Sequence, residues 1–395
     1  MNHRLSLPPG QGLNDVVSLT QALVRIDSSN PDLGLDSGAG ETAIADFISQ
    51  WLQTRDIECY RIEPTKGRPS VVGVVRGSGG GRSLMFNGHT DTVSLSTYDG
   101  DALSAEIQDN KIYGRGSADM KSGLAAAMIA LATAKSLNLK GDVILAAVAD
   151  EEMASIGTEQ VLQAGWQANA AIVAEPTEMS IINAHKGLAV FYVEVSGVAA
   201  HGSRPDLGID AICKAGYFLV EIDRLSQRLE LRWLEQGNPK LGAPSIHAGV
   251  IKGGAEVNSY PDSCTISIER RTVPGENLVE IQEELEQILR KLTREVPGFK
   301  AGLRTGFSRS PFGVASDHSF VKLVAEHATV VTGATPQIKG ETYWTDMALL
   351  ADKGIFGVIW GPKGYGLHAA EEWVEIESIQ HLVDAFVRIE SEFCK

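Results

Sequence analysis

SLMFNG at residues 83–88, GLAAAMIALATAK at 123–135 and VILAAVAD at 143–150 read as strand, helix and strand. Apolar runs of six to eight residues bounded by turns suit strands buried on both faces, and a longer Ala-rich run suits a buried crossover helix. VVGVV at 71–75 and AIVAEPT at 171–177 extend the same pattern as further buried strands. Upstream, apolar residues recur at helical spacing from Asp15 to Val24 and from Thr42 to Thr54, with SSNPD between them as a turn. Strands alternating with helices of this length predict parallel crossovers and an α/β fold, its mixed sheet covered by helices on both faces.

From about Gly187 the pattern changes. LAVFYVEVSG, a helix from Asp210 to Leu231, SIHAGVIKGG, SCTISIERR and a helix from Leu278 to Leu292 predict an inserted α+β domain of β-α-β-β-α-β type, with an antiparallel sheet. After Ser308 the α/β character returns, with a helix near 316–332, the strand GIFGVIWG and a last helix over 377–392. The expected bounds are 1–187 and 306–395 for the interrupted domain and 188–305 for the insert. A chain of 395 residues is also longer than one hydrophobic core usually serves.

With 43% hydrophobic and 22% charged residues, the composition is that of a folded globular protein. A formal charge of -15 lacks the clustered Lys and Arg that phosphate neutralisation requires, which argues against a nucleic-acid partner. No run of eighteen apolar residues predicts a membrane span, and the N-terminal residues carry no basic flank followed by an apolar segment. Cys59, Cys213, Cys264 and Cys394 stand too far apart for a CxxC knuckle and are too few for a secreted disulfide scaffold. A cytoplasmic protein is expected.

The candidate chemistry sits where predicted strands end, the place where α/β proteins gather ligands from distant loops. SLMFNG runs into His89-Thr90-Asp91, so that Asp91 can accept the second N–H of a metal-bound His89 imidazole. In GRGSADMKSG, Asp119 stands among small residues before a helix; it suits a metal ligand or a helix cap. VILAAVAD ends in Asp150-Glu151-Glu152, adjacent carboxylates that repel unless a cation holds them, although a solvated loop has the same look. Glu175 follows an apolar strand, where an uncompensated carboxylate is costly. The glycine-rich loop GPKGYGLHAA carries His368 and is followed by Glu371-Glu372. Together these supply two imidazoles and several carboxylates, a donor set suited to zinc, with cobalt or manganese also accommodated.

In this order, GHTDTV, GRGSADMKSG, ADEE, VAEPT and the His368 loop resemble, over nearly the whole chain, the M20 metallopeptidase family of acetylornithine deacetylases, desuccinylases, aminoacylases and glutamate carboxypeptidases. The resemblance implies two Zn2+ per subunit. His89 and Glu175 would serve one, Glu152 and His368 the other, and Asp119, followed by a cis peptide, would bridge them. Glu151 would be the general base acting on a metal-bridged hydroxide, and Asp91 would orient His89. The insert then resembles a lid and dimerisation domain of a homodimer. There His201, in AHGSRP, would polarise the scissile carbonyl, and Asn258 in GGAEVNSYP and Arg271 in ERRTVP would hold a substrate carboxylate.

The implied reaction is hydrolysis of an amide in a small carboxylate-bearing substrate, foremost an N-acyl amino acid. A carboxypeptidase or dipeptidase acting on short peptides is the alternative, and a non-catalytic metabolite-binding protein a remote third. The desuccinylase pattern GGTSD is replaced by Gly340-Glu341-Thr342-Tyr343-Trp344-Thr345-Asp346, which leaves the acyl pocket unidentified. Tyr343 and Trp344 are expected to pack on the core more than to line a pocket. His185, His247, His318 and His327 match no motif and are expected to be structural.

Overall fold

A computed structural model describes residues 13–34, 37–236 and 241–395. The chain divides into two compact units, Met1–Asn183 with Val314–Lys339 and Thr345–Lys395, and Ala184–Gly313 with Gly340–Trp344. The second unit is wider than 188–305 for local reasons. Its strand Lys300–Arg309 stays paired with Gly187–Ser196 as far as Arg309 opposite Leu188, and Phe312 pairs with His185. The Trp344 indole donates to the Ser310 carbonyl at 3.1 Å, which ties the 340–344 segment to the same unit.

In the first unit the sheet runs in spatial order Glu58–Ile62, Ser70–Val75, Val143–Val148, Leu84–His89, Ala170–Val173, Phe356–Ile359 and then the strand beginning at Ile181. The four middle strands are parallel and the outer ones antiparallel, so the sheet is mixed. Val143–Val148, Leu84–His89 and Ala170–Val173 are buried along their whole lengths, which is why they read as unbroken apolar runs. The helix Ser122–Ala134 is buried on nearly every side, and its small residues let it approach the strands closely. A Cβ at Gly123 would stand 2.0 Å from the Ala174 carbonyl oxygen, so only glycine allows the helix to start there. The helix Ile376–Phe393 packs across it and sets Phe386 4.7 Å from Phe86, ring centre to ring centre. Four short antiparallel strands, Gly364–Tyr365, Trp373–Glu375, Lys111–Tyr113 and Glu106–Gln108, form a separate sheet in this unit.

Glu390, on the last helix, is fully buried, and neither carboxylate oxygen has a hydrogen-bond partner. Burial pushes its carboxyl well above the ordinary 4.5, so the folded protein holds it neutral. Below that ordinary value both folded and unfolded chains are protonated. As pH rises past it the unfolded chain ionises first, and stability falls until the folded carboxyl also titrates. Glu390→Met should raise stability by on the order of 1–3 kcal/mol at neutral pH, the cost of an unsatisfied buried polar group. Urea midpoints at pH 5 and pH 8 should show the advantage widening with pH; an advantage equal at both would contradict this account.

The second unit has the sheet order Ser245–Gly253, Ser263–Thr272, Gly187–Ser196, Lys300–Arg309, all antiparallel. Alternate residues of the two middle strands, among them Phe191, Val193, Ile266 and Ile268, join Phe218, Ile222, Ile281 and Leu285 of the helices Ala211–Gln236 and Leu278–Glu295 in one core. Ser245–Gly253 is the sheet's edge and is exposed from His247 onward. Among the described residues no helix is long and apolar enough to cross a membrane.

Candidate metal centre

His89 ends its strand, Glu151 and Glu152 follow Val143–Val148, and Glu175 follows Ala170–Val173. These three strands are parallel neighbours with His89 opposite Val148 and Asn87 opposite Val173, so their carboxyl ends deliver the side chains to one place. Asp119 arrives from the turn before Ser122–Ala134, and its bond to Met120 is cis, as the resemblance implies. His368 comes from the hairpin loop between Gly364–Tyr365 and Trp373–Glu375 and adopts a positive φ of 59°.

The two Asp119 oxygens face different imidazoles. Oδ1 lies 3.0 Å from Nε2 of His89, and Oδ2 lies 3.5 Å from Nε2 of His368. His368 Nε2 is also 3.0 Å from Glu152 Oε2, and His89 Nε2 is 3.6 Å from Glu175 Oε1. Donor atoms of His89, Glu151 and Glu175 lie within 4.8 Å of one another, as do those of His89, Asp119 and Glu152.

Burial pushes the carboxyls of Glu151 and Glu175 well above their ordinary value, with neighbouring carboxylates adding to the effect and His89 opposing it. Glu152 is raised for the same first reason, then by Asp119. Burial would lower the His89 pKa, but Glu175, Asp119 and Glu151 outweigh it and favour the cation. His368 is pushed up to about 10 by its contacts with Asp119 and Glu152. Carboxylates this crowded carry full charge only when positive charge is set among them, and the N/O donor set fits divalent cations.

Asp91 differs from expectation. The His89 Nδ1 atom lies 2.9 Å from the main-chain carbonyl of Asp91, whereas the nearer carboxylate oxygen is 3.6 Å away, too far for a hydrogen bond. The carboxylate is engaged elsewhere. Its Oδ1 accepts the Glu151 amide at 3.1 Å, and its Oδ2 accepts the Glu152 amide at 3.2 Å and the Asn30 side-chain amide at 2.8 Å.

Glu372 was not singled out in the sequence. Its Oε1 accepts the amides of Ala118 at 2.9 Å and Asp119 at 3.0 Å, and its Oε2 accepts the Gly116 amide at 3.0 Å and an Arg115 N–H at 2.9 Å. One buried carboxylate thus fixes the whole turn that carries Asp119. The only signal was the acidic pair after the His368 loop, which does not say which carboxylate turns inward.

His201, Asn258 and Arg271 belong to the second unit. His201 lies opposite Ser259 in a two-stranded ladder, and the Asn258 carbonyl accepts the Gly202 amide at 2.7 Å, so these two are neighbours. Arg271 is at the far end of Ser263–Thr272, paired with Glu269 at 2.6 Å. Eight residues of unbroken pairing separate Ser263 from Arg271, roughly 26 Å of extended strand. Tyr343 is 39% exposed, whereas the half-buried Trp344 sets its ring 6.1 Å from that of the buried His185 and has Arg309 over it. The four histidines expected to be structural have local partners: His185 with the Lys186 carbonyl, His318 capping its helix, His327 with Glu392 and His247 with Glu269.

Residues 85–391, which include every candidate ligand, match the family model described as Peptidase family M20/M25/M40. The chain belongs to that family. An acetylornithine deacetylase from Myxococcus xanthus is 31% identical over 329 residues, 82% of this chain and 84% of its own length. Among solved structures, an aminopeptidase from Bacillus cereus superposes with a TM-score of 0.77 at 18% identity, covering 96% of this chain and 98% of its own. A dinuclear metal-binding M20 peptidase from Bacillus subtilis gives a TM-score of 0.70 at 16% identity, with 96% and 97% covered. At those identities the structural likeness speaks for the α/β fold with its inserted domain. As an M20 protein the chain is a metal-dependent amidohydrolase.

Proposed function

We propose that this M20 hydrolase removes the acyl group from an N-acyl amino acid, with His89, Asp119 and Glu175 holding one Zn2+ and Asp119, Glu152 and His368 the other. The supporting observation is Asp119, whose oxygens point separately at His89 and at the His368 and Glu152 pair. Two bound divalent cations, zinc or in its place cobalt or manganese, supply Lewis acidity and bring the pKa of water from about 15.7 toward neutrality.

Glu151, whose carboxylate lies within 4.8 Å of the His89 and Glu175 donor atoms, takes the proton from the attacking water and returns it to the leaving amine. His201 donates to the developing oxyanion, a contact worth roughly 2.7–4 kcal/mol for comparable donors. Arg271 and Asn258 hold the substrate carboxylate, so neutral amides react poorly. The Myxococcus xanthus relative's name supports an acylated amino acid as substrate.

Arg271 stands about 26 Å along the sheet from the His201 and Asn258 end, which is too far for one small substrate to touch both within one insert. A second copy of the chain resolves this by lending its His201 and Asn258. The exposed edge strand with Val250 and Ile251, and Tyr217, Val220 and Leu231 exposed on Ala211–Gln236, supply a surface for a homodimer. The four unpaired thiols suit a cytoplasmic location.

A panel of N-acyl amino acids, their neutral amide counterparts and dipeptides, run with and without chelator, tests this reading. N-acyl amino acids should be the best substrates, chelator should abolish turnover and added Zn2+ should restore it. Preference for dipeptides would move the assignment to a dipeptidase, and full activity after metal removal would end both. A solution mass of one 42.3-kDa chain in the active preparation would remove the second copy.

A further inference from the structure

Glu151 is held in place by the turn that precedes it and by Asp91. Asp150 has a positive φ of 66°, a conformation that Asp tolerates better than most residues. That turn presents the next two amides, of Glu151 and Glu152, to the two oxygens of Asp91. Asp91 is in turn held by Asn30, whose side-chain amide donates to Asp91 Oδ2 at 2.8 Å and to Asp150 Oδ1 at 3.0 Å. Two buried carboxylates that would repel across a gap are therefore bridged by one neutral fork of N–H groups.

The charge is balanced one step further out. Arg68, 6% exposed, donates to Asp150 Oδ1 at 2.6 Å, to the buried Glu41 at 2.7 and 2.8 Å and to Asp32 at 2.5 Å. Its guanidinium is raised further above its ordinary value despite burial, because Glu41 and Asp150 surround it. Asn30 is fixed as well, by its own amide to the Thr92 carbonyl at 2.8 Å and by the Asp32 amide to its Oδ1 at 3.0 Å. Each of Asn30, Glu41, Asp91 and Asp150 is at most 2% exposed, and a network so dry keeps its geometry because every loss of a partner is costly.

We propose that Arg68, Asp150 and Asn30 form a positioning chain that locks the Asp91 carboxylate and, through it, the main chain of Glu151 and Glu152. None of the three touches the donor atoms of the centre; Asn30 acts through Asp91, and Arg68 acts through Asp150, whose turn presents the two amides to Asp91. A surface ion pair that merely adds stability would not sit in series with two adjacent amides of the base loop. The inference rests on the proposed role of Glu151 for its effect on rate, but its effect on the backbone does not.

Asn30→Ala removes the neutral bridge between the Asp91 and Asp150 carboxylates without changing the number of charges in the network, and Arg68→Lys keeps the charge while giving up the fork. Amide hydrogen exchange in the full-length protein is read first. In Asn30→Ala the Glu151 and Glu152 amides should exchange at least tenfold faster, with Val143–Val148 unchanged, and Arg68→Lys should fall between it and the unaltered protein. On the metal-loaded enzyme, Asn30→Ala should lower kcat at least tenfold with KM within threefold and metal content preserved. Added to Asp91→Ala it should cost little more, as for two links of one chain. Unchanged exchange at Glu151 and Glu152 would overturn the proposal, as would a fully additive double variant. Faster exchange in a protein that hydrolyses neither N-acyl amino acids nor dipeptides would uphold the positioning chain and refute the reaction instead.

Discussion

Glu151→Gln should keep its metals and its fold and lose about 10²–10⁴ in kcat, the range that a positioned general acid–base group supplies. That loss equals about 3–5 kcal/mol of barrier at 1.36 kcal/mol per factor of ten. The substitution is isosteric, and the Glu151 amide that Asp91 holds is untouched by it. The candidate ligands His89, Asp119, Glu152, Glu175 and His368 also remain, so metal content should match the parent. KM should change little, because the carboxylate of substrate is assigned to Arg271 and Asn258 in the second unit. Steady-state kinetics with metal analysis on the same sample checks all three. A variant within tenfold of the parent would move the base to another buried carboxyl such as Asp346, which burial raises to about 6.

The parts of this molecule that the sequence makes legible are those where one residue's neighbours along the chain decide its fate. Val143–Val148 and Leu84–His89 are apolar on both faces because helices cover both sides, and that leaves an unbroken run to read. The ends of those runs then point to His89 and to the Asp150-Glu151-Glu152 cluster. What stays hidden depends on how separate strands align. Asp91 stands two residues from His89, yet its carboxylate serves amides sixty residues away, and only the register of Leu84–His89 against Val143–Val148 makes that so. Asn30, Arg68 and Glu372 carry no motif chemistry of their own, and each is 61 or more residues from the groups it organises at the centre. The extent of the insert was blurred for a related reason, since 340–344 joins it through tertiary contacts after an α-helical interval.

Glu372→Ala should be the most destabilising single change at the centre. Arg115 is 1% exposed and would lose its carboxylate partner, while the amides of Gly116, Ala118 and Asp119 would lose their acceptor together. Breaking a buried pair by removing one member typically costs about 3–5 kcal/mol, because the remaining charge is stranded. Orphaned amides add to that unless water enters. Glu372→Gln keeps one carbonyl oxygen to accept two of the amides but turns an NH2 group toward Arg115 or Gly116, so its cost should be smaller and still substantial. Urea unfolding of the three proteins should therefore rank parent, Gln and Ala in falling order. Because the Asp119 amide is one of the three, metal should also be surrendered to a competing chelator more readily in the Ala variant, whereas a distant variant of equal instability, compared well below its own unfolding midpoint, should retain it. A Glu372→Ala protein within 1 kcal/mol of the parent would mean that the turn holding Asp119 is supported by its own backbone and not by this carboxylate.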